Sequence, residues 1–295
     1  MSVFYAVAAA CSFGTLAIAV TRGLRNNSLM TALLVSLPVG ACVTGIFTLF
    51  DMPSQVSVRA VGIFVAAGII GEGIGRTSFL AAVSRLGPSI ATPIQTATYP
   101  ALALLGGVVL FSESVTGWRI LGAASIAGGI WALVGKESSS GAPSSGRWRK
   151  GWRWAYLLPV AGGIAFAASD LIRKQGVIET PHPAFGAVVG TVAMMVVWTV
   201  AVVSVPRIRA HVSFAHGWQW FLLAGLLAGF GVLSVFKALE AGDVSVVGPI
   251  IMAQPLVVVL LSALFLRGLE ILTRRIVTGA VLTVLGVILV SLSSG

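Results

Sequence analysis

Polar residues are sparse along this 295-residue chain and collect in short breaks between long apolar runs. The runs lie near residues 2 to 21, 29 to 50, 60 to 83, 88 to 111, 117 to 135, 154 to 172, 184 to 205, 217 to 238, 244 to 266 and 274 to 292. Most come close to the roughly 20 residues that one membrane-spanning helix needs. The pattern predicts ten transmembrane helices and an all-α polytopic membrane protein. The break between the third and fourth spans rests on "SRLGPS" at 84 to 89. The first run contains "VAAAC" at 7 to 11, but no Lys or Arg precedes it. A signal peptide expects a positive n-region, so this run is read as a spanning helix, with no separate soluble domain after it.

One stretch reads as a linker: "KESSSGAPSSGRWRKGWR", residues 136 to 153, rich in Ser and Gly and then basic with Trp148 and Trp152. Its Trp and Arg content suits an interfacial anchor in contact with membrane lipids. It separates five spans (1–135) from five (154–295), and the two halves resemble one another. Where "ESVTGWRILGAASIAGGIWALV" is laid on "EILTRRIVTGAVLTVLGVILV", Glu113, Thr116, Gly122, Ala123 and Gly129 fall on Glu270, Thr273, Gly279, Ala280 and Gly286. Upstream, Ala82, Ser89 and Pro93 fall on Ala238, Ser245 and Pro249, and Pro100 on Pro255 after a shift of one residue. Such ordered agreement is what an internal duplication leaves. Five crossings are an odd number, so the second copy enters the membrane from the opposite side. The repeats are inverted, which is a usual construction of secondary transporters.

Composition agrees with the membrane reading. Hydrophobic residues make up 57% and charged residues 9% of the chain, against roughly 25% charged in an average soluble domain, and the mean hydropathy is +1.00. The net charge of +10 does not indicate nucleic acid, because the basic residues sit between the apolar runs, where cytoplasmic loops carry them. Cys11 and Cys42 fall inside apolar segments and read as small hydrophobes.

Several stretches resemble the EamA-type branch of the drug/metabolite transporter superfamily: "AACSFGTLAI" in the first span, "FLAAVSRLGPS" closing the third, "TYPAL" in the fourth and "LFSESVTGWRILGAASIAGGI" leading through the fifth. The second half supplies "VFKALEAGDVS", "AQPLV" and "EILTRRIVTGAVLTVLGV". The resemblance covers nearly the whole chain. It implies two inverted five-helix repeats around a central cavity lined by spans 1, 3, 4, 6, 8 and 9, with Ser12 and Thr15 able to face it. It also implies export or exchange of a small molecule such as an amino acid, nucleoside, drug or sugar derivative, with no cofactor, from a plasma or inner cell membrane.

With ten spans both termini lie on one side. The loops on that side hold five basic residues, Arg59, Arg119, Arg173, Lys174 and Lys237. The opposite loops hold Arg22, Arg25, Arg85, Lys136, Arg147, Arg149, Lys150, Arg153, Arg207, Arg209, Arg267, Arg274 and Arg275. The positive-inside rule therefore puts the termini outside, although the family resemblance implies cytoplasmic termini.

The chemistry worth following lies inside the spans. Glu72, in "GIIGEGIGRTSF", stands near the middle of the third span, roughly 18 Å from either end at 1.5 Å per residue, with Arg76 one turn further along. Their i, i+4 spacing puts them on one face in the favoured order, and pairing lowers the cost of either charge at that depth. Gly68, Gly71 and Gly75 would let a neighbouring helix approach. The pair is read as substrate- or ion-binding, with Arg76 drawing an anionic group or Glu72 exchanging a coupling proton. The similar family usually carries apolar or small residues here, so the pair departs from it. "GEGIGR" does not have the G-x-G-x-x-G spacing of a dinucleotide loop.

Asp170 is expected near the end of the sixth span, as a cavity residue or in a salt bridge to Lys174. Lys237 and Glu240 are expected to close the eighth. Prolines interrupt the fourth span (Pro93, Pro100) and the ninth (Pro249, Pro255), and interrupted helices in matching positions are a sequence pointer to a transport site. Gln95, Tyr99 and Gln254 accompany them. The candidate set is therefore Glu72, Arg76, Gln95, Tyr99, Asp170, Lys237 and Gln254. His182, His211 and His216 lie in or beside loops without metal-ligand spacing, so a membrane enzyme is the weaker reading, as is a non-transporting sensor or scaffold. The chain carries no Walker A motif, which points to transport driven by a gradient.

Overall fold

The computed structural model describes residues 1–24, 26–50, 52–86, 88–114, 116–134, 153–209, 212, 214–257, 261 and 274–292. Among these residues the regular elements are all helical. In chain order they begin with α1 (Ser2–Gly23), α2 (Leu29–Thr48), α3 (Val58–Gly68) and a π-helical segment (Ile69–Gly75), followed by α4 (Arg76–Leu86), α5 (Pro88–Phe111) and α6 (Gly117–Val134). After a 3-10 turn (Arg153–Tyr156) come α7 (Leu157–Glu179), α8 (Pro183–Ser204) and a short helical turn (Pro206–Arg209). The chain then forms α9 (Trp220–Ala241), α10 (Val244–Ile251) and α11 (Arg274–Leu292). Six described stretches are long and apolar enough to cross a membrane, which makes this a polytopic, helical membrane protein. The expected linker lies outside the described residues except for Arg153, as do most of the residues expected to finish the ninth span.

The structure departs from the hydropathy reading in three ways, the first at two helix ends. The sixth span, expected to end at 172, continues as α7 to Glu179, so Asp170 lies inside the helix rather than near its end. Hydropathy counts "RKQG" as solvent-seeking, but Lys174 and Gln175 find partners within the fold. The Lys174 ammonium donates to the carbonyls of Leu239 (2.7 Å) and Gly242 (2.6 Å), and the Gln175 amide donates to Glu179. Gly176 leaves room for the Phe64 ring. Likewise α9 extends to Ala241, which puts Lys237 and Glu240 inside the helix.

The expected matched interruptions of the fourth and ninth spans are not both present. The backbone of α5 is helical without a break from Pro88 to Phe111, whereas α10 stops at Ile251 and gives way to a turn at Met252 and Ala253 before helix resumes at Gln254. Pro255 explains the break, since it has no N–H for the carbonyl one turn back and its ring crowds the preceding backbone. The third departure is the π-helical segment. Its sequence, IIGEGIG, places three glycines on alternate positions, which weakens the α-helical preference of that stretch.

Two compact units divide the chain, Met1–Ile69 with Ile172–Gly242 and Ile70–Leu171 with Asp243–Gly295. Each draws on both halves of the sequence. In the first, α1 packs along α9, and α2 and α3 pack on α8. Its core is built on Phe64, Phe185 and Phe236 in edge-to-face contact, with the Arg173 guanidinium 5.3 Å above the Phe236 ring. In the second, α6 packs along α11, and α5 packs on α4, α6 and α10.

Candidate functional site

Six of the seven candidate residues belong to the second unit. Glu72 sits in the π-helical segment and Arg76 opens α4. Their side chains form an ion pair of 2.8 Å, and both are largely shielded, at 11% and 17% exposure. The expected pairing is thus present, on a π-turn rather than a regular α-turn. Such widened turns are found frequently at functional sites.

On α5, Gln95 and Tyr99 are one turn apart and both buried. The Tyr99 ring rests on α10 at Gly248, where an added Cβ would lie 2.8 Å from the ring. Its hydroxyl donates a short hydrogen bond to Oδ2 of Asp170 on α7. Asp170 therefore accepts from a tyrosine, while Lys174 donates to carbonyls at the end of α9. Gln95 is 4% exposed, and its side-chain carbonyl Oε1 has no hydrogen-bond partner among the described residues. An amide oxygen left so costs of order 1–3 kcal/mol unless water or a ligand meets it. Gln254 is half-buried and opens the helical turn after the break in α10. Lys237 belongs to the first unit, half-buried in α9. Thr15 bonds the Cys11 carbonyl of its own helix (2.8 Å), as hydroxyls in membrane helices often do.

A second polar cluster in the same unit escaped the sequence reading. The Glu113 carboxylate accepts from the backbone N–H of Val244 (2.8 Å) and of Ser245 (3.0 Å). Arg119 donates through Nη1 to Ser245 Oγ (2.9 Å) and through Nη2 to Asp243 (2.8 Å). Glu113, Arg119 and Ser245 are buried. Hydropathy treats Glu113 and Arg119 as loop charges. The one signal of their role is the recurrence of Glu and Thr at 113 and 116 in the second half.

Comparison with known proteins agrees with this architecture. The family model described as "EamA-like transporter family" matches residues 1–135 and 153–292. The chain belongs to the EamA-like transporter family, whose members are transporters. A solved crystal structure, described only as that of a protein, is similar over 99% of both chains with a TM-score of 0.77 and 16% identity. That likeness shows the fold alone. No curated protein matches the chain.

Proposed function

We propose that this protein is a gradient-driven secondary transporter that moves a small amphipathic metabolite by alternating access. The metabolite is an amino acid, nucleoside, drug or similar compound, and the polar residues buried in the second unit take part in binding it. The observation that carries this reading is the concentration of buried polar side chains at Glu72, Gln95, Tyr99 and Asp170, with the largely shielded Arg76, in one unit of an EamA-like chain. Ionisable groups at membrane depth are costly, and they mark substrate and ion pathways where they are kept. The Gln95 carbonyl offers an acceptor to a substrate N–H or O–H. Arg76 suits an anionic group on the substrate, and Glu72 or Asp170 suits a coupling proton. Gln254 and Lys237 complete the set of binding candidates.

Ten spans in two inverted repeats, 1–135 and 154–295, belong to the same proposal. It is supported by a reciprocal contact between α6 and α11, in which Gly129 lies against Gly279 and Gly286 against Gly122. The same proposal puts the protein in the plasma or inner membrane; its orientation, with the termini outside, is supported by the basic residues lying mainly in the opposite loops of the ten-helix reading. The test is the transport current of proteoliposomes on a solid-supported membrane. Amino acids, nucleosides, organic cations and organic anions are offered at two pH values, to the native protein and to Glu72→Gln. A solute-dependent current that the substitution abolishes is the expected result; absence of current with every solute would argue against transport of these classes.

A further inference from the structure

The helix α10 starts without a cap of its own. Asp243 occupies its N-cap position but makes no side-chain bond to the helix, although Asp is among the residues best suited to that task. Its carboxylate is held by Arg119 instead. The place is filled from elsewhere in the chain: both oxygens of Glu113 receive the first amides of the helix, where a negative charge also meets the positive end of the helix dipole.

Local backbone geometry aims Glu113 at this target. Ser112 takes a left-handed conformation, φ 53°, which side chains other than Gly, Asn and Asp adopt rarely and at a cost. The turn is closed by Ser112 N–H to Val108 O (3.1 Å) and Glu113 N–H to Gly107 O (3.1 Å). Gly107 is needed there, because a Cβ on it would collide with the Glu113 carboxylate. Strain and a missing side chain thus meet at one residue, and that residue holds another helix.

α10 has eight residues with Pro249 inside, and the chain breaks just after it, so its own hydrogen bonds hold it weakly. Its position depends on what grips its first turn. We propose that Glu113 and Arg119 are positioning residues that fix α10 and thereby place Gln254 for substrate; this rests on the reading that Gln254 belongs to the transport site.

The test uses the full-length protein in lipid nanodiscs and needs no substrate. Hydrogen exchange of residues 244–257 is followed by mass spectrometry for the native protein, Glu113→Gln and Asp243→Asn. Loss of a charged hydrogen-bond acceptor predicts exchange faster by about tenfold or more at the start of α10 in Glu113→Gln, with α5 and α6 unchanged. Asp243→Asn leaves Glu113 on the amides, so a smaller acceleration in the same segment is expected. In a background with Cys11 and Cys42 replaced by Ser, a Gln254→Cys thiol should also change its rate of labelling by N-ethylmaleimide when Glu113→Gln is added. Unchanged exchange in 244–257, acceleration spread evenly over α5, α6 and α10, or an unchanged labelling rate would each overturn the proposal. Failure of the protein to move any solute would instead refute the transport reading, and the two outcomes are read from separate experiments.

Discussion

Gly129 on α6 and Gly286 on α11 make the same contact in exchanged roles. A Cβ on Gly129 would lie 2.7 Å from the Gly279 carbonyl and would also strike Thr283, while a Cβ on Gly286 would lie 2.6 Å from the Gly122 carbonyl and 2.7 Å from Ile126. In the register of the internal duplication, Gly129 corresponds to Gly286, Gly122 to Gly279 and Ile126 to Thr283. A contact that maps onto itself when partners are exchanged is what a two-fold relation between equivalent helices produces. Glycine is used because the helices touch backbone to backbone, as small residues allow in membrane helix packing.

This contact predicts paired sensitivity. Gly129→Ala and Gly286→Ala should each destabilise the protein by about 1–3 kcal/mol through overpacking, and to a similar degree. Gly128→Ala, where a Cβ meets nothing within 4 Å among the described residues, should be close to neutral. Thermal unfolding of purified protein followed by tryptophan fluorescence reads all three. Equal tolerance of Ala at 128 and 129 would show that α6 and α11 are not packed this closely.

The Glu72 and Arg76 pair predicts an asymmetry between single and double substitutions. Removing one member of a shielded ion pair leaves the other charge uncompensated, at roughly 3–5 kcal/mol for a fully buried pair and less here, where some exposure remains. Glu72→Gln or Arg76→Gln alone should therefore lower the unfolding temperature more than the double substitution. Stability should largely return in the double variant, but transport should not. Normal transport kinetics and pH dependence in the double variant would reduce the pair to a packing device.

The helices themselves were legible because each apolar run is long and its breaks are polar; α1, α2, α5, α6, α8 and α11 lie within a few residues of the hydropathy reading. The errors have a common physical origin. At the end of α7, charged residues remain helical because specific carbonyls and rings receive them, as Lys174 and Arg173 show, and hydropathy has no term for a partner distant in sequence. The Glu72 and Arg76 pair was visible because both members lie on one turn. Tyr99 with Asp170, and Glu113 with the start of α10, join residues far apart in sequence, and nothing local to either stretch announces the match.

Tyr99→Phe isolates one of those distant links. It keeps the ring against Gly248 and removes the hydroxyl that donates to Asp170. A loss of about 1–3 kcal/mol in stability is expected from a buried carboxylate deprived of a hydrogen bond. If Asp170 carries the coupling proton, the substitution should also shift the pH dependence of the transport current. Asp170→Asn should abolish that dependence. A stability loss with an unchanged pH profile in both variants would assign the pair to folding alone.

Orientation can be decided without a substrate. In the ten-helix reading, 18 of the 19 basic residues divide 13 to 5 between the two sides and Arg76 lies inside a span; on the poorer side Arg59 and Arg119 make ion pairs with Glu179 (3.3 Å) and Asp243 (2.8 Å). The positive-inside rule counts Lys and Arg rather than net charge, so these pairs leave the imbalance unchanged. It predicts that a protease-cleavable tag fused after Gly295 is cut in right-side-out vesicles before any permeabilisation. A protease site inserted among residues 136–153, on the opposite side, should be cut only after permeabilisation. The reverse result at both positions would turn the whole chain over, and opposite results at only one would mean that the number of spans between them differs from the five that separate 153 from the C-terminus in the ten-helix reading.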